Sequence, residues 1–343
     1  MSTNSAIESD TPRSVTPPGT PESVRPRDAG IDSLGTPGAQ GPTLRPWPVL
    51  PEPGELSAHG PAQVIALCNQ KGGVGKTTSA ISLGATLAEF GRRVLLVDFD
   101  PQGALSLGLG ITPNELDGTI YDALMGSTNG EQVILRTALP GVDILPSNID
   151  LAGAEVALVG EMSREFALKR VLQPLLPDYD VVLIDCQPSL GLLTINALTA
   201  SDGVLVPLEC EYFALRGTKL LLDIVNKVRV RLNPQLSIVG FLATMYDSRT
   251  LHSREVLARI VDAFGEQVFH TVIARTVRFP DASVRGEPIT VFASGSPGAH
   301  AYRMLAREVL ARPMFAQAQE QPATAPLADV FSGLLPGLGG QGR

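Results

Sequence analysis

Two lysines, Lys71 and Lys76, bracket the glycine-rich run Gly72-Gly73-Val74-Gly75, and Thr77 and Thr78 follow directly. Glycines lack a Cβ, so the three of this run can take positive φ and let the backbone N–H groups close on oxyanions; the start of a following helix adds its own donors. The run therefore reads as a phosphate cradle, completed by Val74 and Thr78, with Lys76 reaching the β- and γ-phosphates of a nucleotide and Thr77 offering its hydroxyl to Mg²⁺. The common form of this loop has glycine at the position of Gln70; here Lys71 supplies a second cation instead. Two later segments end in carboxylates. Val94-Leu95-Leu96-Val97-Asp98-Phe99-Asp100 delivers Asp98 and Asp100, and Val181-Val182-Leu183-Ile184-Asp185 delivers Asp185, which fits a magnesium ligand acting through water.

These groups need elements to position them. The apolar run Val64-Ile65-Ala66-Leu67-Cys68 precedes the loop and predicts a buried parallel strand, while Ser79 to Phe90 predicts a helix. Further strands are predicted at 94–98, 142–145, 181–185, 203–207 and 238–244, alternating with helical stretches. Such alternation builds an α/β fold, a mostly parallel twisted sheet with helices on both faces, and ligands then gather at the carboxyl edge of the strands. Guanine recognition would call for Asn-Lys-x-Asp. The nearest run, Asn226-Lys227-Val228-Arg229, lacks the aspartate, so ATP is the expected nucleotide.

The extra lysine, in the context strand, glycine loop, helix, resembles the deviant phosphate loop of the ParA/Soj partition ATPases, close cousins of MinD. The likeness spans about residues 63–311. It includes Leu151-Ala152-Gly153-Ala154-Glu155, the stretch from Pro188 to Leu198, the stretch from Ile238 to Thr250, Val272 to Arg278, and Gly298-Ala299-His300-Ala301-Tyr302. The resemblance implies a homodimer closed over two ATP, with Lys71 reaching the partner's nucleotide, Asp100 orienting the attacking water, and slow Mg²⁺-dependent hydrolysis. It also implies non-specific DNA binding through Arg249 and Arg278, which the sequence places at the ends of separate strands. A ParB-like or condensin-associated protein would be the partner, in chromosome or plasmid segregation or organisation. Gln187, Arg216, Ala274 and Phe279-Pro280-Asp281 depart from the family's usual residues, as in a paralogue of the main chromosome-partition ATPase.

Charge and composition bound these readings. The formal net charge is −8, so DNA binding requires clustered bases, and Arg216, Lys219, Lys227, Arg229 and Arg231 against Asp223 form one such cluster. No apolar run approaches the roughly 18 residues of a membrane span, and the N-terminus lacks a signal-peptide pattern, so a cytoplasmic, nucleoid-associated protein is expected. The three cysteines, Cys68, Cys186 and Cys210, fit free buried thiols better than disulfides. Residues 1–62 hold 12 of the 28 prolines and predict a disordered tail, residues 63–312 the ATPase domain, and 313–343 a flexible tail without the basic amphipathic helix of a membrane anchor. Two other readings use the same loop: a positioning scaffold for a protein complex with incidental DNA contact, and a metabolic enzyme that phosphorylates or amidates a small molecule.

Overall fold

The computed structural model describes residues 35–211 and 214–315. Its eight strands are β1 (Gln63–Leu67), β2 (Val94–Phe99), β3 (Leu135–Arg136), β4 (Val142–Leu145), β5 (Val181–Cys186), β6 (Gly203–Glu209), β7 (Ser237–Tyr246) and β8 (Val268–Ala274). They form one sheet in the order β3-β4-β2-β5-β1-β6-β7-β8. Every pairing is parallel except β3 with β4. The six expected strands are present. β3 and β8, one at each edge, were not among them.

Alternation along the strands divides the core in two. Val64 and Ala66 of β1, with Cys68 just past its end, join a cluster on one face with Leu193 and Ala197 of helix Leu192–Ala200 and with Leu221 and Val225 of helix Ala214–Arg231. Ile65 and Leu67 join the opposite cluster with Leu83 and Leu87 of helix Lys76–Glu89 and with Tyr302 and Leu305 of helix Pro297–Leu310. Helices thus cover both faces, as the fold class requires. β1 lies at the centre between β5 and β6, so its carboxyl end opens at the position where such sheets bind ligands.

Residues 35–62 correct the expected extent of the N-terminal tail. This segment lies along the amino ends of the strands: Arg45 donates from Nη2 to the carbonyl of Val268 (2.5 Å) and from Nη1 to that of Gly265 (3.0 Å). Trp47 is 2% exposed and its ring meets His270 of β8 at 5.9 Å between centroids. Further along, the Gly60 N–H donates to Asp180 Oδ1 (3.0 Å), and Asp180 Oδ2 accepts from the Arg93 N–H (2.7 Å). A proline-rich strap cannot form a core of its own; Trp47, Arg45 and the Gly60 N–H are among the groups that attach this one to a core that already exists. Residues 1–34 lie outside the described residues. At the other end the folded unit runs past 312, because Met314 and Phe315 pack on the second cluster; residues 316–343 lie outside the described residues.

Candidate functional site

The glycine loop turns from β1 into helix Lys76–Glu89 at the carboxyl edge of the sheet. Gly73 and Gly75 have φ of +75° and +85°, a conformation that side chains rarely adopt, so glycine is required there. Gly72 lies outside that region, contrary to the expectation that all three glycines would use positive φ; it leaves space instead, since a Cβ there would meet only Pro188 at 4.0 Å. Gly75 is the residue before the helix, and no side chain caps the first turn, so its N–H groups face the loop concavity. Two tethers hold the loop to the strands beside it. Asn69 accepts the Lys71 N–H (2.9 Å) and donates to the Pro207 carbonyl (2.6 Å), while Thr244 Oγ1 of β7 donates to the Val74 carbonyl (2.9 Å).

Lys76 is 6% exposed, and its ammonium curls over the loop to donate to the Lys71 carbonyl at 3.2 Å. Thr77 Oγ1 donates to Asp185 Oδ2 at 2.7 Å, which joins the loop to the carboxyl end of β5. Asp185 is buried, and its second oxygen, Oδ1, has no hydrogen-bond partner. An orphaned carboxylate oxygen costs free energy unless a cation or donor meets it. Burial, with the neighbouring Asp98 carboxyl second, pushes the Asp185 pKa up to about 8. The donor set, a hydroxyl and a carboxylate oxygen beside a phosphate loop, suits a hard, oxygen-seeking cation such as Mg²⁺.

The sequence alone assigns Asp98 no role. It pairs in register with Asp185 across β2 and β5, is completely buried, and accepts from the N–H and hydroxyl of Ser106 at 2.8 and 2.7 Å. Burial raises its pKa to about 6. Asp100 lies just past the end of β2 and is partly exposed; its Oδ1 accepts the Gln102 N–H at 2.9 Å. It is near enough to raise both buried carboxyls. Lys71 lies at the rim of the loop, with its ammonium between Glu209 Oε2 (2.6 Å) and Glu211 Oε2 (2.9 Å) at the end of β6. Neither glutamate was expected at the site. Their signal in the sequence was only that two acids follow a buried strand.

Arg249 and Arg278 reach the same edge of the sheet from β7 and β8, although neither ends a strand. Arg249 is in the turn after β7 and binds Asp247 through Nε (2.9 Å) and Nη2 (2.8 Å); Arg278 is exposed and opens helix Arg278–Arg285. The Arg249 guanidinium holds the Asp247 pKa down at about 2. The bases of Arg216–Arg231 all lie on helix Ala214–Arg231, and Asn226-Lys227 lies within the same helix. The departures also have places. The Gln187 amide donates to Glu155 Oε1 (3.1 Å), which also accepts the Leu193 N–H, and the Phe279 ring packs edge-on against Tyr302.

Residues 62–238 match the family model described as an AAA domain. The chain is 48% identical to the sporulation initiation inhibitor protein Soj of Bacillus subtilis over 249 residues, 73% of this chain and 98% of Soj. This chain belongs to the ParA/Soj family of partition ATPases. An uncharacterized protein of Mycobacterium tuberculosis is 58% identical to this ParA/Soj chain over 288 residues, 84% of this chain and 91% of that one. Among solved structures, a protein of Mycobacterium smegmatis titled cobyrinic acid a,c-diamide synthase, with bound ADP and magnesium, is 44% identical. It superposes with a TM-score of 0.66 over 77% of this ParA/Soj chain and 100% of its own.

Proposed function

We propose that this protein is a Mg²⁺-dependent ATPase that closes into a homodimer over two ATP, binds DNA non-specifically in that state, and is reset by slow hydrolysis. The observation that carries it is the Thr77–Asp185 bond beside an orphaned Asp185 oxygen, at the mouth of a loop with two lysines. Thr77 and Asp185 would hold magnesium, which would supply positive charge against the triphosphate. The backbone from Gly72 to Thr78 cradles the phosphates, Lys76 swings from the Lys71 carbonyl to them, and Asp100 orients water from the open side. Lys71 crosses to the partner's nucleotide. Relatives named for chromosome partition support a role in chromosome segregation; a plasmid role and a ParB-like or condensin-associated partner are part of the proposal. Among the described residues, no helix is long and apolar enough to cross a membrane.

The name of the Mycobacterium smegmatis structure favours a second reading, ATP-dependent amide formation. Amide nitrogen drawn from glutamine is commonly released by a thiol that glutamine can reach. All three cysteines here are buried, and burial lifts the Cys210 thiol to about 12, so the chain has no such thiol. An ATPase assay separates these readings. Hydrolysis that rises with plain duplex DNA and protein concentration supports the partition reading, whereas hydrolysis that requires a small carboxylic acid and an ammonia source supports the other.

A further inference from the structure

Lys71 does not point into open space. Its ammonium donates to two carboxylates of its own subunit, and the nearer, Glu209, is largely buried, with a side chain 11% exposed against 48% for Glu211. Solvent screens the Glu211 contact, so Glu209 holds the lysine more strongly. Glu209 also has a second cation: its Oε1 accepts from Arg275 Nη2 at 3.3 Å, and Arg275 is 60% exposed just past the end of β8. The order is Lys71, Glu209, Arg275, a buried carboxylate between two cations on different segments.

We propose that Glu209 is a positioning residue that latches Lys71 within its own subunit until a partner's nucleotide draws it away, with Arg275 as the counter-ion that Glu209 keeps after Lys71 leaves. The proposal rests on the reading that Lys71 crosses between subunits. A buried carboxylate left without any cation is costly, so the ease of release depends on Arg275. Substitutions at the two ends of the chain of charges should therefore act in opposite directions. Glu209→Gln keeps the shape but removes the charge, leaving Lys71 only the exposed, solvent-screened Glu211 and so loosening its hold. Arg275→Ala removes both the competitor for Glu209 and the replacement cation, so it tightens the latch.

The test is sedimentation of the full chain with Mg²⁺ and the non-hydrolysable analogue AMPPNP, without DNA, to find the analogue concentration at half-maximal dimer. Glu209→Gln should lower that midpoint about fivefold, the population shift that a partly buried ion pair of ordinary strength supports. Arg275→Ala should raise it, by about twofold since its contact is longer and exposed. Midpoints unchanged in both variants, or shifted the same way, overturn the latch. If Glu209→Gln fails to fold, the exposed Arg275→Ala alone decides: a midpoint at or below wild type overturns the proposal. Wild type that stays monomeric at saturating AMPPNP, or Lys71→Ala that dimerises as wild type does, refutes the crossing lysine itself, and the latch with it.

Discussion

Asp98 and Asp185 stand at paired positions on neighbouring strands, both carboxyls buried, at the mouth of the phosphate loop. Their pKa values are raised to about 6 and about 8. Between the ordinary carboxyl pKa and these values the folded chain holds protons that the unfolded chain has given up, so stability falls as pH rises. Without metal, Tm should drop from about pH 5 to pH 8, a window set by these two raised groups. Asp185→Asn should flatten the upper part of that slope, and calorimetry should detect proton release when Mg²⁺ and nucleotide bind the wild type. A Tm that rises from pH 5 to 8 would contradict the pairing.

Lys76→Ala removes the ammonium that curls over the loop, and nucleotide affinity should fall about a hundredfold, the range for removal of a charge-assisted bond that leaves the opposite charge unmatched. A fluorescent-nucleotide titration measures this directly. Affinity within threefold of wild type would take Lys76 out of the site.

Lys71→Ala and Asp100→Ala should separate two steps. The first keeps ATP binding and loses ATP-driven dimers, if Lys71 is the cation that crosses as proposed. The second keeps dimers and loses hydrolysis by about a hundredfold or more, as when a water-positioning carboxylate is removed. Sedimentation and phosphate release distinguish them.

Trp47 tests the strap. Its indole is buried at the amino edge, against the start of β8 and away from the loop at the carboxyl edge. Trp47→Ala should destabilise the fold by about 3 kcal/mol, the lower range for an aromatic removed from a packed site. Urea denaturation gives the value, and nucleotide affinity at low urea should be unaffected.

The phosphate loop, Asp100 and Asp185 were legible because each lies within one continuous segment whose chemistry is local: strand, glycine turn, helix, or strand end. The Lys71–Glu209 pair was not, since its partners are 138 positions apart and meet only because β6 lies beside β1. Asp98 was visible as a residue, but its partner was not, because register between β2 and β5 is a property of the sheet. Composition hid the strap: proline and polar residues dominate 35–62, and the few side chains that anchor it have no periodicity. β8 was implied only by the placing of Arg278 at a strand end, and its extent was not legible because His270 and Thr271 interrupt its apolar run; their backbone N–H groups donate to Glu308, on a helix some 37 positions later.

In the proposed cycle, ATP gathers arginines from two subunits into one phosphate-binding surface. The most direct measurement is the salt dependence of binding to a plain duplex, with Mg²⁺-ATP, for the wild type and for Arg249→Ala with Arg278→Ala. Each DNA phosphate that is no longer neutralised should flatten the log–log slope by about 0.9. Binding is expected to need ATP, to be insensitive to sequence, and to have a shallower slope in the double variant, with DNA-free hydrolysis retained. Wild-type affinity and slope in that variant, or wild-type binding that is indifferent to ATP, would contradict it.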